Sequence, residues 1–171
     1  MQSESGLAMA IEEHVRVREV EDAGIAAAMF QHRYREAIPS FPHHIVAWCR
    51  GRDGEWLPAA YVHGTASGDF LLGGGACVDN RALRQLDADA RSAVHEAGGL
   101  YRHMLSWAIG HFSDRYLAIF GYCGDALAER IDLAAGFSRT PHPHLLAIFK
   151  DTVSAQMRAE LIAQAHAIGP F

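Results

Sequence analysis

The run YLAIFGYCGDALAERIDLAAGF, Tyr116–Phe137, decides the fold. Tyr116–Phe120 is a short apolar stretch without alternation, the pattern of a strand covered on both faces. Gly121–Asp125 reads as a turn. Asp125 is a good N-cap, and the helix it opens carries Glu129 and Arg130 on its early turns. Gly136 is a good C-cap, after which Phe137 can fold back onto the last turn. A second apolar run, Leu145–Phe149, follows and closes a sheet.

Working outward, residues 1–13 read as a loose or helical lead-in, and Val15–Val20 alternates like a half-exposed strand. Asp22 caps a helix expected to reach about Ile38, with Ile25, Ala28, Met29 and Ala37 facing the core, and Pro39 and Pro42 end it. His44–Cys49, Leu57–His63 and Asp69–Val78 form a three-strand meander, the last two joined by the small-residue turn Gly64–Gly68. Asp79–Asp89 is polar and irregular. Asp89–Ala97 and Leu100–Phe112 are helical, broken by Gly98–Gly99, and Leu100, Met104, Trp107 and Ala108 form a core stripe. Thr152–Ile168 is an amphipathic last helix with Val153, Met157, Leu161, Ala165 and Ile168 on one side, suited to covering the sheet or to forming a homodimer. This order predicts one α/β (α+β) domain, with a mixed, mostly antiparallel central sheet flanked by helices.

Composition narrows the function. The 171 residues suffice for one domain with a real core, half of them are hydrophobic, and the formal net charge is −5 without a basic run. Nucleic acid is therefore not the expected partner. No apolar stretch reaches membrane-spanning length, and glutamates stand where a signal peptide carries lysine or arginine, so a cytoplasmic location is expected. Cys49, Cys77 and Cys123 are too widely spaced for a disulfide framework and read as small core residues, although Cys123 falls in the turn after the central strand.

The Tyr116–Phe137 unit resembles the C-terminal half of the GNAT acyltransferase superfamily. There a strand is followed by Asn, an Ala three residues on, a Tyr four later, then Gly-Phe. Here Asp125 stands in the Asn position, Ala128 matches, Asp132 stands in the Tyr position, and Gly136–Phe137 match the ending. The resemblance implies transfer of an acyl group from acetyl-CoA or another acyl-CoA, as co-substrate, to an amine of a small-molecule acceptor. In the family that Tyr protonates the departing thiolate. Its absence passes the acid role to Tyr122 or Cys123, just past the central strand, or points to a non-catalytic binding or dimerisation module.

The same resemblance places the cofactor on two segments. Gly73–Val78, GGGACV, is a strand whose three glycines signal a bulge or a close backbone approach, and the backbone of Gly75, Ala76, Cys77 and Val78 would hold the cofactor. The family's phosphate loop, Q/R-x-x-G-x-G/A, falls on His95–Leu100, so Gly98 and Gly99 would face the phosphates at a helix N-terminus, or simply bend the helix. Arg81, Arg84 and Arg102 are the nearest cations. A second resemblance, of Phe30–Trp48 and His95–Arg102 to thermostable-hemolysin-type proteins and more distantly to acyl-homoserine-lactone synthases, implies a strand over Val94–Leu100. Neither family's substrate carries over.

A bound amine must lose a proton before it attacks. Glu36, His63, Glu96, Asp125 and Asp132 are eligible bases, and His95 another, since an unperturbed imidazole titrates near pH ~6.5. Asp125 and Asp132 lie seven apart, on one helix face. Of the eleven histidines, His43 and His44 are adjacent and point to opposite faces of a strand. His142 and His144 form an H-x-H pair flanked by Pro141 and Pro143. No third ligand stands at a recognisable spacing, so no metal is expected.

Overall fold

The computed structural model describes residues 11–171; the lead-in expected over residues 1–13 lies outside the described residues up to position 10. Strand β1 is Val15–Val20, as its alternation predicts. Asp22 then accepts a hydrogen bond from the Gly24 amide and opens a 3-10 turn, Ala23–Ala26, which runs into helix α1, Ala27–Tyr34. The helix stops four residues short of Ile38 because Arg35 is left-handed, φ 62°. Its opening 3-10 turn advances ~120° per residue instead of ~100°, which shifts the buried face. Ala26, Met29 and Phe30 are buried, while Ile25, Ala28 and Ala37 are exposed, contrary to the stripe expected from a regular helix.

Strands β2 (His43–Arg50), β3 (Trp56–Ser67) and β4 (Phe70–Val78) follow. β3 does not end at His63 but continues through Gly64 to Ser67. A Cβ at Gly64 would sit 3.1 Å from a methyl group of Leu71, so this glycine makes room for a core side chain rather than a turn. The turn falls instead at Gly68, φ +56°. The segment expected to be irregular holds a short helix, α2 (Asn80–Leu83), capped by Asp79. Helix α3 (Ala88–Glu96), capped by Asp87, and helix α4 (Leu100–Phe112) follow. Val94–Leu100 is thus a helix end and its cap, not the strand that the hemolysin-type resemblance implied. Of the α4 stripe, Leu100, Met104 and Ala108 are buried, whereas Trp107 is half-buried and stacks on His111.

Strand β5 is Ala118–Tyr122, two residues later than the apolar run suggested. Helix α5 is Ala126–Ala134, with Asp125 Oδ1 accepting from the Ala128 amide at 2.8 Å. It ends in a Schellman cap: the Gly136 amide donates to the Leu133 carbonyl and the Phe137 amide to that of Asp132, with Gly136 at φ +114° and Phe137 buried. Strands β6 (Ser138–Arg139) and β7 (Leu145–Phe149) and helix α6 (Ala155–Ile168), capped by Ser154, complete the chain.

The seven strands lie in the order β1-β2-β3-β4-β5-β7-β6. β1–β2, β5–β7 and β6–β7 are antiparallel, whereas β4–β5 is parallel. Two compact units share these strands: one runs to Val62 and resumes at Ala76–Met104, the other comprises His63–Gly75 and Leu105–Phe171. The first is centred on Ala26, Met29, Phe30, Val46, Tyr61 and Cys77. In the second, Phe70, Leu72, Phe120, Leu145 and Ala147 pack with Val153, Leu161 and Ala165, so α6 and the residues leading into it belong to the core. Met157 and Ile168, assigned to the same face, are exposed.

The first unit also carries two histidines that resist protonation. Burial pushes the pKa of His44 down, and its Nδ1 lies 2.7 Å from the hydroxyl of Tyr61. Burial likewise lowers that of His103, against a smaller opposing pull from Glu12. Because both bind protons more readily when unfolded, the unfolded chain takes up more protons as pH falls through ~6.5, and stability present above that pH is lost below it. The urea midpoint is expected to be lower at pH 5 than at pH 7. The double variant His44→Gln/His103→Gln should flatten that difference; an unchanged pH dependence assigns the loss to other groups.

Candidate functional site

The parallel ladder between β4 and β5 covers four pairs, Phe70↔Ala118 to Gly73↔Gly121, and ends there. β4 itself continues to Val78. At the departure point lie the three glycines. Gly73 is open enough that its would-be Cβ meets only the Phe120 carbonyl oxygen, at 3.5 Å. Gly75 has φ +59°, and its would-be Cβ falls 2.1 Å from Cε1 of the buried His63. The bulge inferred from the glycine run is therefore a left-handed kink seated on an imidazole. Hairpin arithmetic about the Gly68 turn could have found this partner, since it sets position 63 opposite 74–75.

Two further contacts bear on this strand. The Phe171 carbonyl oxygen lies 3.0 Å from a Cβ built at Gly74. In the first unit, the Tyr34 hydroxyl donates to the Ala76 carbonyl at 2.6 Å. Nothing in the helical pattern around Tyr34 signals that bond. Cys77, beside it, is buried, and burial pushes its thiol up to about 11; burial takes Cys49 to about 12. Both thiols stay protonated at neutral pH and are inert core groups.

Gly98 and Gly99 do not offer their amides to a ligand. They adopt φ +82° and +101°, and their N–H groups donate to the carbonyls of His95 and Val94 at the end of α3. They are the C-cap of that helix. Helix α4 starts at Leu100, directly after this cap. The Arg102 guanidinium folds back over Gly98, with Nη1 2.8 Å from the Cβ position there, and so puts a cation at the start of α4. Glu96 accepts from the hydroxyl of Ser92 one turn back on α3, at 3.1 Å.

The end of β5 gathers polar chemistry within the second unit. Tyr122 is the last residue of the strand, not of a turn, and is 36 % exposed. Its ring lies 5.9 Å from that of His144 and 6.0 Å, edge-on, from that of Phe171. His144 sits just before β7 with a left-handed backbone, φ 67°. The Cys123 amide donates to the His144 carbonyl at 2.8 Å, and His144 Nδ1 lies 3.0 Å from the Cys123 carbonyl oxygen. That oxygen can only accept, so Nδ1 carries the proton and Nε2 keeps its lone pair in the neutral ring. The Cys123 thiol is buried and donates to the Asp125 carbonyl; burial, with the nearby Asp132 carboxylate, pushes its pKa up. Asp132 is buried on α5, while Asp125 caps that helix.

The H-x-H pair does not converge. His142 stacks on His166 of α6, centroids 3.6 Å apart, while His144 turns to Cys123. Among the described residues no group of three or more His, Cys, Asp or Glu side chains could hold a metal ion. Nor is any described helix long and apolar enough to cross a membrane.

A mostly antiparallel sheet whose single observed parallel pair parts after four residues, with helices flanking it, is the GNAT N-acyltransferase fold. The chain is similar to the ribosomal-protein-S18-alanine N-acetyltransferase from Escherichia coli, with TM-score 0.55 and 13 % identity, over 82 % of this chain and 97 % of that one. It is also similar to the ribosomal-protein-S5-alanine acetyltransferase from Vibrio fischeri, with TM-score 0.52 and 11 % identity, over 81 % and 94 %. At these identities the likeness is one of fold. No protein-family model matches the chain, and no curated protein matches its sequence.

Proposed function

We propose that this chain is a cytoplasmic acyltransferase that passes an acyl group from acyl-CoA, or a similar thioester, to an amine on a small-molecule acceptor. The observation that carries this reading is the end of the β4–β5 ladder at Gly73, with β4 running on through the Gly75 kink to Val78. A strand that leaves its neighbour presents backbone N–H and C=O groups, and a ligand with amides of its own can satisfy them. Within the first unit, the Arg102 cation at the start of α4 suits phosphates. Phe171 over Gly74 has to yield to the ligand, and Tyr34 already holds the Ala76 carbonyl.

The chemistry falls to the end of β5. In the proposed step the acceptor amine gives a proton to Nε2 of His144, its nitrogen forms the new C–N bond, and the C–S bond breaks as Tyr122 protonates the departing sulfur. Cys123 is buried and committed to Asp125, which leaves Tyr122 as the acid. Asp125 and Glu96, each engaged locally, act as helix cap and surface acceptor.

A second reading has its own observations. Asp132 occupies the family's Tyr position, Phe171 lies over Gly74, and the glycine amides of the phosphate loop cap a helix. These suit a module that no longer turns over and that pairs through α6, where Met157 and Ile168 are exposed. Isothermal titration with acetyl-CoA and one long-chain acyl-CoA separates the two. Saturable binding of at least one is expected, weakened roughly tenfold by Arg102→Gln through loss of a charge-assisted contact. No binding of either by folded protein would move the assignment to the non-catalytic module.

A further inference from the structure

The insertion between β4 and α4 is stitched to the β2–β3 turn. Gly51 bridges Leu86 across the two segments, and the Arg52 amide donates to the Gln85 carbonyl at 3.0 Å. This seam borders an open cleft of about 570 Å³ within the first unit. Its floor is Leu83, Leu86 and Val94, and Arg52, Arg84 and Arg91 line it with the amide of Asn80. Among the described residues no carboxylate lines it, although the chain as a whole is acidic.

The arginines are placed against their mutual repulsion. Arg52 donates from Nε to the Leu86 carbonyl at 3.2 Å and from Nη2 to the Arg84 carbonyl at 3.1 Å. Arg91 Nη2 donates to the same Leu86 oxygen, at 3.2 Å. Two guanidinium groups thus share one acceptor, and their remaining N–H groups are available to a ligand. Among the described residues none of the three arginines is in an ion pair, whereas neighbouring Arg81 pairs with Asp79. All three side chains are exposed, so solvent screens their repulsion in part; a bound dianion removes what is left, and the fork of a guanidinium matches phosphate oxygens. The size lies in the range of small-molecule sites, ~300–1,000 Å³, and the apolar floor suits an organic ring better than a bare ion.

We infer that the Arg52–Arg84–Arg91 cleft binds a small phosphate monoester carried on a ring, at a site separate from that of the thioester donor. Phosphate supplies ~1.5 to 2 negative charges at pH 7, which the three arginines more than offset, and Asn80 can meet a hydroxyl of the ring-bearing part.

The test titrates the whole protein with adenosine 5′-monophosphate, with adenosine and with inorganic phosphate. Saturable binding of the monophosphate is expected, at least tenfold tighter than that of either fragment, and weaker as salt is raised. Arg84→Gln and Arg91→Gln should each weaken it about tenfold, the loss expected for one charge-assisted contact. Arg84 is exposed, and its variant should melt within a degree or two of the parent. No saturable binding, or binding indifferent to both substitutions, overturns the site. Inorganic phosphate binding as tightly as the nucleotide overturns the ring. Displacement by coenzyme A but not by dephospho-coenzyme A overturns the separateness, since the cleft would then belong to the donor site. Failure of both to displace the nucleotide supports it, whether or not the protein proves to be a transferase.

Discussion

Gly75→Val is expected to destabilise the protein by about 3–5 kcal/mol and to abolish binding of acyl-CoA. Two costs add. A side chain at φ +59° occupies the left-handed region, at ~1–2 kcal/mol for an ordinary residue and more for a branched one. The new Cβ also falls 2.1 Å from Cε1 and 2.6 Å from Nδ1 of His63. That ring is buried, 7 % exposed, so it cannot simply swing away. Overpacking of this kind costs ~1–3 kcal/mol. Set against a total stability of ~5–15 kcal/mol, the sum removes much of the fold's margin. Urea unfolding reads the loss, and two companions apportion it. Gly99→Ala, at φ +101° with no atom within 4 Å of the new Cβ, should show the backbone cost alone, about 1–2 kcal/mol. Gly75→Ala should cost less in a His63→Ala background than in the parent, because the imidazole that it strikes is gone. Equal costs in both backgrounds would leave the kink, not the histidine, as the whole reason for the glycine.

That pairing marks the boundary between what the sequence disclosed and what it did not. The segment from β5 to Phe137 was legible because its signals are local: an apolar run, Asp125 three residues before the amide that it caps, and a Gly-Phe pair that closes a Schellman turn. β1 was legible from alternation alone. The errors come from elsewhere. Gly64 has the look of a turn residue, yet it serves Leu71 across the hairpin. Gly98–Gly99 look like a phosphate loop by spacing, but spacing cannot say whether an amide points outward or back to α3. Ile25 faces solvent because a 3-10 turn resets the helical phase, and no residue type announces that turn.

The candidate site shows the same limit. The position of Tyr122 and Cys123 at the end of an apolar run is visible in the sequence, and Tyr122 does reach solvent there. In the sequence His144 reads only as half of an H-x-H pair. Its carbonyl and Nδ1 are tied to Cys123, which lies 21 residues away, and only register between β5 and β7 brings them together. The arginines around the Leu86 carbonyl were dispersed surface charges in the sequence. They converge because the Gly51–Leu86 bridge joins segments 35 positions apart.

Tyr122→Phe is expected to lower kcat by about a hundredfold while leaving the affinity for acyl-CoA within about twofold. The substitution removes one oxygen and its proton from a side chain at the end of β5 and keeps the ring that meets His144 and Phe171. General acid catalysis contributes ~10²–10⁴-fold where the proton is delivered in the transition state, whereas the ring contacts act in bound and free protein alike. The loss should therefore appear in kcat, and release of coenzyme A in the presence of a panel of primary amines measures it. His144→Gln offers the complementary reading. Its amide nitrogen stands near the Nε2 position but is not basic, so nothing there can take a proton. The variant should lose turnover most at the pH where the acceptor amine is protonated, and recover as rising pH deprotonates the amine without help. Parent-like turnover for Tyr122→Phe would remove the hydroxyl from the chemistry. A pH profile for His144→Gln parallel to that of the parent would reduce the imidazole to a brace for the β5–β7 turn.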